Sequence, residues 1–277
     1  MNKEKKLAEF QNATAATIKA IAAEKLKNRE IQFFGNTTRF NSKQITIAKD
    51  NNDFNETIVN KTRGESDEIS LKLQYHDKTI HSKLKPTSEL ASTIFNLAED
   101  TRIEKIGSKK FFGIKKNLQK LIEKKFETNL ISPPGSDDIT SFVNAMHLYL
   151  RKKLSDAPIP QNSKKTMSLW EPWLEKRVGK FTSELSENIN DQELFGKNIN
   201  NLLIALKSEL GDLDDNNNDS DNDSDNEGSD EENSDDQNNT SQGDSEEENE
   251  DGIETGIEEN TEAASDDNEF SDDDIPF

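Results

Sequence analysis

The chain has 277 residues, no cysteine and a formal net charge of -21. The charge is unevenly placed: residues 211–277 hold 29 Asp and Glu with no Lys or Arg, which leaves 27 acids against 35 bases, a net +8, in residues 1–210. This composition excludes disulfides, cysteine-based zinc sites and thiol nucleophiles, and a like-charged, apolar-poor segment cannot bury enough surface to offset the entropy of ordering it.

Three regions follow: a mainly α domain over residues 1–210, a disordered acidic tail over 211–271, and a short tip over 272–277. The start, MNKEKKLAEF, is charged, and Lys19, Glu24 and Lys25 interrupt the segment after it, so no signal peptide is expected. No run reaches the length of a membrane span, and a soluble cytoplasmic protein is expected.

Along residues 7–27, Leu7, Phe10, Ile18 and Ile21 recur at roughly helical spacing. The period then changes. IQFFG at 31–35 and QITIA at 44–48 are short and rich in β-branched and aromatic residues, which predicts a small β-hairpin. Residues 50–67 are polar and read as a loop. From Glu68 a helix resumes, with Ile69, Leu73, His76, Ile80 and Leu84 on one stripe until Pro86 ends it.

Thr87 is placed to cap the next helix, which carries Leu90, Ile94, Leu97 and Ala98 and runs into AEDTRIEKIGSKKFFGIKKNLQKLIEKKF. Phe95, Glu99, Arg102 and Ile106 share one face there. A Glu99–Arg102 ion pair is thus set into an apolar seam, where burial demands that it be paired. After the SPPGSDD turn, Ser136 is the expected cap of a helix with Ile139, Phe142, Val143, Met146 and Leu150 inside. DAPIP at 156–160 breaks it. Two further helices carry Leu174, Val178, Phe181, Leu185 and Ile189, then Phe195, Ile199, Leu202, Leu206 and Leu210, with Gly211 as the stop. The total is about six helices, with Trp170 and Trp173 in the core.

Few residues invite chemistry. His76 and His81 are five apart, about 140° around a helix, so they do not share a face as zinc-binding histidines at i and i+4 do. His76 reads instead as a seam residue satisfied by a neighbour, with Asp77 pairing locally with His81, and His147 as a core histidine. Glu99, Arg102 and Glu104 lack a nucleophile or base in suitable company. Nucleotide-binding glycine motifs are absent from residues 1–210. DSDNEG at 223–228 opens like a calcium loop, but Asp230 and Ser234 stand where an apolar residue and a Glu belong. No catalytic residue, metal site or cofactor is therefore expected.

The segments ATAATIKAIAA, LKLQYHDKTIHSKLKP, AEDTRIEKIGSKKFFGIKKNL, LWEPWLEKRVGKF, INDQELF and LLIALKSELGD, in this order, resemble the N-terminal region of the CobT subunit of aerobic cobaltochelatase, from about residue 10 to residue 213. The acidic tract after them is similar to that family's linker. The resemblance implies a three-protein complex in which a large subunit holds the corrin ring, an AAA+ ATPase ring turns over ATP, and CobT joins the two. The reaction implied is cobalt insertion into hydrogenobyrinic acid a,c-diamide, with an assembly role and no catalytic residue for this region. In that family the linker leads to a von Willebrand factor A domain with a DxSxS metal site. This sequence stops at Phe277 without one, so no metal ligand carries over.

The last residues, Asp272, Asp273, Asp274, Ile275, Pro276 and Phe277, look like the tip of bacterial single-stranded DNA-binding proteins. An apolar pocket rimmed by Lys and Arg could hold Ile275 and Phe277 while the acids and terminal carboxylate meet the rim. This supplies an alternative reading: an accessory protein of DNA replication or repair that recruits DNA-metabolism proteins through its tip. Direct nucleic-acid binding is not expected, because +8 is modest and no stacking strip or recognition helix is evident.

Overall fold

The computed structural model describes residues 3–49, 54–136, 138–210 and 253–254. Among them are nine α-helices and four short strands, so the mainly α fold with a small N-terminal sheet is as the sequence implies. The number of helices exceeds six because three stretches read as continuous are broken.

Helix α1 (Lys3–Ala22) buries Thr14, Ile18, Ile21 and Ala22, one face of a 3.6-residue period. Strands β1 (Glu30–Phe33), β2 (Arg39–Phe40) and β3 (Gln44–Ile47) follow. A hairpin is present, but its first strand is β2 and not IQFFG. β2 runs antiparallel to β3, joined by a turn in which Asn41 Oδ1 accepts from the Lys43 and Gln44 amides at 2.9 Å. β1 lies on the other side of β3 and pairs with it in parallel, Ile31 opposite Ile45. Ile45 and Ile47 pack against Ile18, Ala22, Ile69 and Leu73, a core of their own between sheet and helices.

Helix α2 (Glu56–Tyr75) replaces most of the loop expected over 50–67. Its start is fixed by Asn55, whose Oδ1 accepts from the Ile58 amide at 3.0 Å. The first half of its inward face is built from Thr62, Gly64, Ser66 and Asp67, so no stripe of large apolar residues announces it. Small residues let α5 approach closely: a Cβ on Gly64 would stand 2.7 Å from Leu121 Cβ and 3.2 Å from the Asn117 carbonyl oxygen.

The expected helix from Glu68 to Leu84 is two helices. His76 and Asp77 are extended, and Asp77 Oδ1 accepts from the Thr79 and Ile80 amides at 2.8 and 3.1 Å, capping α3 (Lys78–Leu84). A short carboxylate that satisfies orphan N–H groups outcompetes continuation of the helix. The Asp77 carboxylate is therefore taken up by the cap, and the His81 ring meets Asn96 instead.

Ser88, not Thr87, caps α4 (Glu89–Lys110). The chain then turns at an extended Phe111 into α5 (Phe112–Thr128). An unbroken helix over both would be about 60 Å long, with its far half beyond any core. The turn instead folds Ile114 and Leu118 against Ile21, Leu71 and Ile103.

Asp138 caps α6 (Ile139–Ser155) by accepting from the Ser141 amide at 3.0 Å, whereas Ser136 is tied to the Pro133 carbonyl. Ile139, expected inside, precedes the buried run and is 50% exposed. From Ser141 to Arg151 every residue of α6 is buried. Helices α4, α7 (Lys164–Val178), α8 (Thr182–Glu187) and α9 (Gln192–Leu210) pack around it, with a 3₁₀ turn at Gly179–Phe181 separating α7 from α8 where one helix was expected. Trp170 is buried and donates Nε1–H to the Ser132 carbonyl at 2.8 Å; Trp173 sits half-buried beside it, edge-on.

Gly64→Ala is expected to lower stability by about 1–3 kcal/mol through overpacking against α5, against the usual gain of Ala over Gly in a helix. Gly113→Ala, where an added Cβ meets nothing within 4 Å, should gain up to about 1 kcal/mol. Urea unfolding of both variants checks the contrast, and a stabilised Gly64→Ala would show that α2 and α5 are not in close contact.

Candidate functional site

The apolar seam of α4 carries its charged pair into the centre of the domain. Glu99 and Arg102 are 4% and 2% exposed. The Arg102 guanidinium grips the Glu99 carboxylate with both arms, Nε to Oε2 at 2.7 Å and Nη2 to Oε1 at 2.8 Å. It also donates to the Tyr75 carbonyl at 2.7 Å, the Ile189 carbonyl at 3.3 Å and Gln192 Oε1 at 3.3 Å. One side chain thus ties the end of α2, the α8–α9 connection and the first turn of α9 to the middle of α4.

Histidine and glutamine complete the hub. His76, expected to be satisfied by a neighbour, places Nδ1 2.9 Å from Glu99 Oε1. Gln192 accepts from the Asp77 amide at 2.8 Å and donates to the Asp77 carbonyl at 2.9 Å, clamping the α2–α3 break. His81 lies edge-on to His76 with ring centroids 4.7 Å apart, and its Nε2 is 3.0 Å from Asn96 Oδ1. Burial and the neighbouring His76 charge lower the His81 pKa. Burial opposes ionisation of Glu99, but hydrogen bonds from Arg102 and His76 and their charges outweigh it, holding the carboxyl below its ordinary value.

The chemistry open to this hub is narrow. Glu99 is held ionised by Arg102 and His76, so it is a poor proton acceptor, and the Arg102 donors are turned onto protein oxygens and not toward a ligand. The adjoining cavity, lined by Ile80, Leu84, Phe95 and Phe195 among others, has about 10 Å³, room for one water. The arrangement fixes helix positions.

Glu104, considered with Glu99 and Arg102 in the sequence, points elsewhere. It forms a two-armed pair with Arg151 of α6, both contacts 2.7 Å. Beside this pair runs a second polar layer between α2, α4, α5 and α6. Lys72 meets Asp100 at 2.8 Å, and Asp67 accepts from Asn117 at 2.7 Å. Burial pushes Asp67 up to about 6, opposed by Asn117 and Arg63. Half-buried Glu68 is pushed up to about 7 by burial, with Asp100 and Glu65 adding to the shift and Lys72 and Lys125 opposing it. Burial in turn lowers Lys125, and it lowers His147 well below its ordinary value, with the charges of Lys125 and Arg151 adding to the effect.

Arg151, Gln192 and Glu68 escaped the sequence reading. Arg151 did leave a signal, as a charged residue three positions from both Leu148 and Leu154 in a helix rich in large apolar residues. Gln192 left none, because its partners lie on the α2–α3 break. Among the described residues no group of three or more His, Asp and Glu could hold a metal ion, and no helix is long and apolar enough to cross a membrane. The tip residues Asp272, Asp273, Asp274, Ile275, Pro276 and Phe277 lie outside the described residues, as does the 223–228 segment.

Compared with known families, the chain matches the one described as cobalamin biosynthesis protein CobT over residues 4–276. It belongs to the CobT family. That membership carries a role in cobalamin biosynthesis and a place in a cobaltochelatase complex. No solved structure matches the chain. Within this CobT-family chain, the Glu99–Arg102 hub lies in the middle of α4, the helix that joins the sheet side of the molecule to the larger core around α6.

Two measurements test the hub and the layer beside it. Arg102→Met strands the Glu99 carboxylate and should cost about 3–5 kcal/mol, while adding Glu99→Leu should restore part of that; equal losses in the single and double variants would show that the pair is not a buried unit. Glu68 and Asp67 have folded pKa values above their ordinary 4.5 and 3.8. The folded chain therefore holds extra protons between those values and about pH 6–7, and the stability these groups contribute falls as pH rises through that window, by up to ~1.4 kcal/mol per pH unit per group. Glu68→Gln should accordingly raise the urea midpoint at pH 8 and change it little at pH 4.5; an effect equal at both pH values would contradict the assignment.

Proposed function

We propose that this chain is a non-catalytic adaptor subunit of an ATP-dependent cobaltochelatase, linking an AAA+ ATPase to a large corrin-binding subunit in the cytoplasm. Cobalt insertion into hydrogenobyrinic acid a,c-diamide is then the work of the complex, with this chain transmitting force or position between its partners. Support comes from where the chain keeps its interactive groups. The ionisable residues of the hub are bonded into the fold, whereas apolar side chains stand out at a corner of the surface.

The observation that carries the reading is the turn between α4 and α5. Phe112 is 89% exposed and Phe111 40% exposed. Exposed Lys109 and Lys110 precede them and exposed Lys115 and Lys116 follow. Lys110 Nζ stands 4.7 Å from the Tyr75 ring centroid, which anchors the corner to the end of α2. Aromatic anchors inside a cationic rim are the composition of a protein-docking hot spot, not of a solvated turn. The corner sits at the end of α4, the helix that carries the Arg102 hub. A load applied there reaches the α2, α6 and α9 contacts of α4 through rigid helix.

The test is nucleotide-dependent binding. The intact chain should bind a cognate AAA+ ATPase in the presence of a nonhydrolysable ATP analogue, and Phe112→Ala should weaken that binding at least about tenfold, the range of a hot-spot truncation, with an unchanged unfolding midpoint. Absence of binding by the unaltered chain with ATP or its analogue would remove the adaptor reading.

A further inference from the structure

β2 is an outer strand of the three N-terminal ones, yet it has a neighbour on each side, and the second is remote. On one side it pairs with β3; on the other it pairs antiparallel with β4 (Ile253–Glu254), drawn from the acidic segment, with Phe40 opposite Ile253 and Arg39 opposite Glu254. Forty-two residues, 211–252, separate the last helix from that strand.

The choice of residues is physically coherent. In 67 residues dominated by Asp, Glu, Asn and Ser, the large apolar side chains are only Leu213, Ile253, Ile257, Phe270, Ile275 and Phe277. A β-branched residue is the type that a strand favours. The receiving edge belongs to the domain with net positive charge, and the register sets a glutamate opposite Arg39, an opposite-charge pair of the kind that stabilises antiparallel neighbours. Arg29 adds a second cation close by, bonded through Nε to the Asn41 carbonyl at 2.7 Å. β2 itself is no loose end, because Phe40 packs against the Ile45 and Ile47 core.

We propose that the β2 edge is a strand-addition site for the chain's own acidic segment, with Ile253–Glu254 as the docking residues and the segment held in cis as a strap across the sheet edge. An open edge offers unpaired N–H and C=O groups to any extended chain. A strand of two residues binds weakly by itself, but tethering in one chain raises its local concentration to roughly the millimolar range. The edge is thereby covered at rest and released to a partner that presents a longer strand. The acidic segment has a specific address on the domain as well as a charge.

The absence of cysteine from the sequence permits a clean trap in the full chain. Adjacent antiparallel pairs alternate between the wide and the close type, and the close type suits a disulfide. One of Phe40→Cys/Ile253→Cys and Arg39→Cys/Glu254→Cys must hold the favourable geometry, and Arg39 is exposed, so its substitution spares the core. Under mild oxidation the better variant should form an intramolecular disulfide at least tenfold faster than two controls, Phe40→Cys/Ile257→Cys and Arg39→Cys/Glu247→Cys. Adding Ile253→Pro to Arg39→Cys/Glu254→Cys should return that variant to the control rate, because proline removes a ladder N–H. Control-level rates in both test variants, or disulfides formed only between chains, would overturn the strap.

Discussion

Burying the Arg102 guanidinium takes five N–H donors and a full charge out of water, and the domain is arranged so that they find oxygen. Glu99 alone cannot meet them all. The Tyr75 carbonyl becomes an acceptor only because α2 stops at that residue, and the Ile189 carbonyl only because the chain is irregular between α8 and α9. Two interruptions of helix, 114 residues apart in sequence, are thus held together by one side chain on a third helix. An ion pair in this position is weak evidence of net stability but strong evidence of register, since a slip of α4 by one residue would leave a charge unpaired in the interior.

The same logic extends along α4. Its apolar residues Ile94, Phe95 and Ala98 join the core around α6, whereas Ile103 faces the small cluster under α5. Between these two dry regions the helix presents Glu99, Asp100, Arg102 and Glu104 to partners on four other elements: the α2–α3 junction, α2, α9 and α6. Directional polar contacts specify which helix lies where, while the apolar contacts, being non-directional, supply most of the driving force.

How much of this was legible depended on side-chain size. α6 and α9 declare themselves because their buried positions are Phe, Val, Met, Ile and Leu at helical spacing. The first half of α2 does not, because Thr62, Ser66 and Asp67 face inward and Gly64 is there to admit Leu121; a small polar face looks like a loop when only apolar periodicity is sought. Asp77 and Phe111 broke helices that periodicity alone would continue, the first by capping and the second by sending α5 back over α2. At the hub, the seam bearing Glu99 and Arg102 was visible in the sequence, and so was the need for His76 to find a neighbour. The third party, Gln192, was not, since its role is set by backbone groups of an extended turn. The strap was invisible for a different reason: Ile253–Glu254 has no pattern longer than two residues, and its meaning lies in the edge it meets.

The adaptor reading and the strap bear on different elements that share α1 and α2: Ile114, two residues past Phe112, packs with Ile21 and Leu71, and the sheet packs on Ile18, Ala22, Ile69 and Leu73. The aromatic corner at Phe111–Phe112 terminates α4, the helix that carries the hub, so binding proposed there would be transmitted through packed helix. The β2 edge belongs to a small sheet seated on α1 and α2, and what covers it is the chain's own acidic segment. Displacing Ile253–Glu254 from β2 would break the Arg39 and Phe40 pairings, and none of the hydrogen bonds made by Arg102 involves β2 or β4. On the adaptor reading, the aromatic corner could therefore be engaged while the β2 edge changes its occupant, which is what a linker between two partners needs.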